Sequence, residues 1–440
     1  MAERKGSRVR WFLVFGLFVL SAVAYVDRIN LSIAGSSLAS EFHLTNVQLG
    51  SLTSAFLIGY ALFQTVGGWL ADRLGPRRVL AAGVLWWGIF TALTTAVSPK
   101  IAFAVLGLAA VRFLLGAGEA VMFPASNQFV SRWIPSQERG IANGVIFAGV
   151  GVGAGVTPGL ITYIMVHYGW RWSFWVSALS GLIAGTAWYL FARDAPEEHA
   201  RVSAAELQYI HAGRAAKSSA SSAAGNGRVL WSTMLGSKEV WAVTLSYFCF
   251  GYVAWIFFTW FFIYLAKVRG LNLKASASYT TVLFLTMAAC SPIGGAISDK
   301  LTKLYGKRIG RGGIAVFALS LTAIFLSFGS QLHSARLASI VLAGGAGALY
   351  LSQSSFWSVT ADIASGSSGA VSGFMNMGNQ FGGALTASLT PAIATRFGWT
   401  ASFLAAAGLC VVGALAWLIV DPTATLPTVE ARPLTGDPAL

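Results

Sequence analysis

The sequence predicts an all-α membrane protein with twelve transmembrane helices in two six-helix bundles and both termini cytoplasmic. Three observations carry that prediction. Of 440 residues, 55% are hydrophobic and only 10% are charged, whereas a soluble domain carries roughly 25% charged residues. Apolar stretches of about 18 to 25 residues, each long enough to cross a bilayer, recur twelve times. The Lys and Arg residues gather in alternate loops, and positive loops stay in the cytoplasm.

The spans cover about residues 11–33, 47–70, 79–97, 101–131, 143–166, 171–192, 241–266, 277–298, 312–330, 335–360, 371–395 and 400–420. An even number returns the chain to the side on which it started. Arg28 and Arg112 fall inside spans. One side then collects Arg4, Lys5, Arg8, Arg10, Arg73, Arg77, Arg78, Arg132, Arg139, the Arg193–Lys238 and Lys300–Arg311 groups and Arg432. The other holds Lys100, Arg171, Lys267, Arg269, Lys274, Arg336 and Arg396. The chain therefore divides into a cytoplasmic tail (1–10), a six-helix bundle (11–192), a cytoplasmic central loop (193–240), a second bundle (241–420) and a cytoplasmic tail (421–440). The first apolar run is longer than a signal-peptide core and contains Asp27-Arg28, so it reads as an uncleaved first helix.

In the central loop, Ser203-Ala-Ala-Glu206 fits a capping box opening a short surface helix, and a Ser/Ala/Gly-rich tract follows that cannot bury a core. The C-terminal tail is expected to be disordered. The net charge of +14 is spread over short loops and forms no contiguous face, which argues against a nucleic-acid partner. Cys249, Cys290 and Cys410 lie in apolar segments without metal-ligand spacing and read as buried thiols. No nucleophile–base set, metal cluster or phosphate loop appears, so no enzyme, cofactor or metal is expected.

The two halves repeat a motif. Gly68-Trp-Leu-Ala-Asp72-Arg73 follows the second span, and Gly295-Ala-Ile-Ser-Asp299-Lys300 follows the eighth. Twelve spans as six plus six, a long central loop and this repeated G-x-x-x-D-[RK] resemble the major facilitator superfamily over essentially residues 10 to 420. The resemblance implies two bundles rocking about a site near the membrane midplane. Asp72, Arg73, Asp299 and Lys300 would then gate the cytoplasmic side, each carboxylate accepting from a helix N-terminus or pairing with Arg.

Intramembrane charges carry the chemistry, because lipid tolerates them poorly and they face protein or water. Tyr25-Val-Asp27-Arg28 lies in the first span. In the fourth, Arg112 and Glu119 share a face two helical turns apart, about 10 Å along the axis, and each must find a partner elsewhere. Burial favours a protonated carboxyl and a neighbouring guanidinium the ionised form. If Asp27 pairs with Arg112, Glu119 is left beside Arg28 as the proton carrier; a structural four-charge network that never titrates is the alternative. With Glu119 protonated, Arg28 presents a planar guanidinium suited to a carboxylate. Tyr25 and Tyr60 offer hydroxyls to such a ligand or serve as packing. Gln353-Ser354-Ser355-Phe-Trp357 and Asn376-Met-Gly-Asn379-Gln380 give the second half a polar but uncharged wall, open either to substrate or to interhelical bonding. In the aromatic seventh span, Tyr252 and Trp255 are singled out as gating or stacking candidates.

Y-x-D-R-x-N-L in the first span and R-x-x-x-G-x-G-E-x-x-x-x-P in the fourth, with the Asn-rich eleventh, resemble the anion:cation symporter family, which includes bacterial sugar-acid and carboxylate permeases. That resemblance implies roles in proton coupling and anion binding for Asp27, Arg28, Arg112 and Glu119. It implies substrate contacts for Tyr25, Tyr60, Ser354, Ser355, Trp357 and Asn376. The seventh span departs from the family's W-x-P turn with Trp260-Phe-Phe. The expected protein is a monomeric inner-membrane symporter driven by the proton gradient, importing an aldonate, hexuronate or aromatic carboxylate. A drug or metabolite antiporter, suggested by the glycines of Gly151–Gly159, and a transporter-like receptor are the competing readings. Arg28 opposes a cationic drug.

Overall fold

The computed structural model describes residues 7–100, 103–215, 228–364 and 366–429. The Ser/Ala/Gly-rich tract and the last residues of the C-terminal tail lie outside them.

Twelve spans run through these residues. The first half holds α1 (Val9–Phe42), α2 (Asn46–Leu74), α3 (Pro76–Leu93), α4 (Ala104–Trp133), α5 (Arg139–Tyr168) and α6 (Trp170–Phe191). The second holds α7 (Lys238–Val268), α8 (Leu273–Tyr305), α9 (Arg308–Gln331), α10 (Ala335–Ile363), α11 (Ser368–Phe397) and α12 (Trp399–Trp417). Ten of these are apolar enough by composition alone to cross a membrane. The other two are α3, whose first turn carries Arg77 and Arg78, and α11, whose amino half is rich in Ser, Gly and Asn. Outward-facing Phe12, Phe15, Leu62, Ile183, Phe317 and Phe328 are exposed, as lipid-facing side chains are.

The halves repeat each other in packing. In the first, α1 packs on α5, α2 on α4 and α3 on α6; in the second, α7 packs on α11, α8 on α10 and α9 on α12. The halves meet where α2 lies against α11 and α5 against α8. Tight helix junctions recur too: Gly75 (φ 91°) joins α2 to α3 and Gly306 (φ 83°) joins α8 to α9. A side chain is strained at that φ, and glycine is not.

Several helices depart from the span boundaries. The α1 helix continues nine residues past Ile33 to Phe42, because hydrogen bonding, unlike hydropathy, does not stop at the bilayer edge. The α4 helix breaks at Ala120–Val121, between Glu119 and a segment whose third residue is Pro124; proline has no N–H for the preceding turn. The α10 helix breaks at Ser352. In α7, π-helical turns at Ile256–Trp260 and Tyr264–Val268 interrupt the ladder.

A surface helix spans Ala204–Ala215. Ser203 Oγ accepts from its Glu206 N–H at 3.2 Å, but the Glu206 carboxylate does not complete the capping box. It turns instead to the amino end of α1, accepting from Ser7 Oγ (2.6 Å), Val9 N (3.1 Å) and Arg10 Nη1 (2.9 Å). Four orphan amides at a helix start outbid one. A two-residue ladder pairs Arg228 with Val429, so the central segment and both described chain ends share one face, the basic one.

Candidate functional site

A small cavity lies between the halves. Tyr25, Arg28, Tyr60, Phe123, Phe147 and Val150 line it from the first half. Aromatic residues of α7, with Tyr350, Gln353, Asn376, Asn379 and Gln380, face them. The breaks in α4 and α10 turn Phe123 and Gln353 into this space.

Arg28 dominates the first wall. Its Nε donates to Glu119 Oε1 at 3.1 Å, and Nη2 pairs with the same oxygen. The guanidinium carbon lies 4.7 Å from the Tyr25 ring centre, 4.4 Å from that of Tyr60 and 5.4 Å from that of Phe56. Three aromatic faces therefore fix the cation in place. Glu119 is fully buried, and its Oε2 has no hydrogen-bond partner among the described residues.

Asp27 projects to another side of α1. Its Oδ2 accepts from Thr91 Oγ1 of α3 at 2.5 Å. No ion pair within 4.0 Å joins Asp27 to Arg112 among the described residues, so the expected pairing is replaced by a neutral hydroxyl donor. Arg112 is buried over the Phe56 ring at 5.1 Å, with no hydrogen-bond partner for Nε and Nη1 among the described residues. Neither Asp27 nor Arg112 lines the cavity.

The opposite wall is built of amides. Asn379 Nδ2 donates to Asn376 Oδ1 (3.3 Å), and Asn376 Nδ2 donates to Gln64 Oε1 (3.0 Å), a chain that crosses from α11 to α2. Gln353 Nε2 and Trp357 Nε1 both donate to Tyr247 Oη, at 2.8 and 2.9 Å. Of the residues expected to touch substrate, Tyr25, Arg28, Tyr60 and Asn376 line the cavity, whereas Ser354, Ser355 and Trp357 do not. The break at Ser352 directs Gln353 inward, and Trp357 packs behind the lining against Phe123 and Phe147. Trp255 lines the cavity, while Tyr252 hydrogen-bonds to Thr390 outside it.

On the basic face the halves are tied together. Asp72 accepts from Gly369 N and Ala370 N, both at 2.9 Å, at the start of α11. Asp299 accepts from Gly140 N (2.9 Å) and Ile141 N (2.7 Å) at the start of α5. Two anionic side chains thus cap helices of the opposite half. Arg73 stacks on Trp69 of its own helix at 4.4 Å, and Lys300 is exposed; neither bridges the halves in any described contact. The basic partner of Asp299 is Arg311, at 2.6 Å, and Arg139 pairs with Asp362 at 2.9 Å. Arg311 and Asp362 escaped the sequence reading because each looks like an ordinary loop charge. The one signal was that Gly310-Arg311-Gly312 could seat a cation against backbone.

Fold and cavity together define a membrane transporter of two repeated halves, and comparisons give its family. The model of the Major Facilitator Superfamily matches residues 17–387 and 358–439: the chain belongs to that superfamily. A probable sulfoacetate transporter of Cupriavidus necator is 32% identical over 427 residues, 97% of each chain. The hexuronate transporter of Bacillus subtilis is 27% identical over 432 residues, 97% of this chain and 96% of its own. The proton:xylose symporter XylE bound to 6-bromo-6-deoxy-D-glucose shares the fold, with a TM-score of 0.74 at 14% identity, covering 93% of this chain and 95% of its own. The relatives are transporters and not enzymes.

Proposed function

We propose that this chain is a proton-coupled symporter that imports a small organic anion, a sugar acid or an aromatic carboxylate, across the cytoplasmic membrane by alternating access. The observation that carries the reading is the Arg28–Glu119 pair at the cavity wall. A substrate carboxylate and the Glu119 carboxylate compete for one guanidinium. Protonation of Glu119 releases Arg28 to the substrate, so anion and proton bind together. The names of the sulfoacetate and hexuronate transporters support an anionic solute. In this reading residues 11–192 and 241–420 rock as two bodies, the basic face lies in the cytoplasm, and Asp72 and Asp299 fasten that face while the cavity loads from the other.

The test is uptake by proteoliposomes with and without an inward proton gradient. Concentrative uptake of a sugar acid or aromatic carboxylate that collapses with the gradient is expected. Glu119→Gln should keep anion exchange and lose uphill uptake, and Arg28→Ala should lose binding. Gradient-driven uptake by Glu119→Gln equal to wild type removes Glu119 from coupling. A response to hydrophobic cations alone would make the protein an exporter.

A further inference from the structure

We infer that the cavity selects singly charged anions built on a hydroxyl-bearing ring and rejects dianions; this rests on the anion reading above and names the substrate class of the same site. The cavity has one cationic wall. Among the described residues, Arg28 is the only Lys or Arg in its lining, and Arg112 lies behind that lining, over Phe56. A freed Arg28 therefore neutralises one anionic group.

Among the described residues, the far wall offers no cation to a second. Gln353, Asn379 and Gln380 each carry a buried amide oxygen without a hydrogen-bond partner among the described residues. Carbonyl oxygens accept hydrogen bonds, so they satisfy a hydroxyl donor and repel a carboxylate. Aromatic faces, whose π clouds are negative, complete that end. The rings also set the shape of the ligand body. Tyr25 and Phe258 come from opposite halves with centroids 5.8 Å apart, and Trp255 and Phe258 stand 5.9 Å apart. These rings touch one another and make one continuous aromatic wall, on which a flat benzene or pyranose ring stacks a face, whereas an open-chain diacid stacks little and strands its second charge.

Matched pairs test this by calorimetric titration of the purified full-length protein at about pH 7: 4-hydroxybenzoate against phthalate, and glucuronate against glucarate. The monoanion of at least one pair should bind about tenfold tighter or more than its dianion, which is a modest specificity ratio. The pair that responds tells an aromatic from a sugar ring. Gln353→Arg, which places a second cation at the amide end, should narrow or invert that ratio. Wild-type affinity for the dianion equal to or above that for its monoanion in every pair that binds overturns the inference and leaves anion transport standing. Binding of none of the four overturns both. Should Gln353→Arg fail to fold, the wild-type ratios decide alone.

Discussion

Arg28 and Asp27 are sequence neighbours with different surroundings, because adjacent helical residues project about 100° apart. Arg28 meets the cavity and Asp27 meets α3. Asp27 depends on one hydroxyl, Thr91 Oγ1, and Thr91→Val removes it at nearly constant volume. An orphaned buried polar group costs about 1–3 kcal/mol, so a lower thermal midpoint is expected in a melting assay. The pH profile of uptake in Thr91→Val should also differ from that of the wild type, and an unchanged profile would mean that Asp27 takes no part in coupling.

At the scale of elements, the two carboxylate latches differ in what their loss strands. Asp72→Asn weakens charge-assisted caps on α11, worth about 0.5–2 kcal/mol. Asp299→Ala uncaps α5 and also takes the nearer of two carboxylates from the fully buried Arg311, which keeps Asp362 at 3.7 Å, so the loss adds to that of the cap. Thermal denaturation should rank Asp299→Ala well below Asp72→Asn. In both variants a cysteine placed under the latch should react faster with a water-soluble maleimide added to the basic face. The spans were legible because hydropathy reports lipid contact directly. The breaks at Ala120–Val121 and Ser352 were not, although Pro124 hinted at the first, since nothing local marks Ser352. For the same reason Glu119 and Arg28 could be paired from sequence, but Ser354 and Ser355 could not be distinguished from Gln353, whose orientation depends on that break. Glu206 was legible as a cap, but not as the cap of a helix nearly two hundred positions away.

Across the whole molecule, glycines on one face of α5 record how the halves meet. A Cβ added at Gly140 or Gly144 would collide with backbone of α8, and one at Gly151 with Ala288 at 2.7 Å. Further along, Gly155 and Gly159 meet nothing within 4 Å. The halves touch toward the basic face and part toward the other. Gly155→Trp should therefore leave folding and ligand binding intact while abolishing transport, because the indole occupies space that closes in the alternate state; binding titration and uptake on the same preparation check this. The contacts between distant positions also impose an order on biosynthesis. The amino end of α1 waits for its cap until Glu206 is made, some 197 positions after Val9, yet that still precedes every residue of α7. Asp72 waits longer, 297 positions, for Gly369. Since chains fold from the amino end as they leave the ribosome, the first half can be assembled and sealed at its own start before the second half exists, and the latch that joins them is among the last contacts the nascent chain can make.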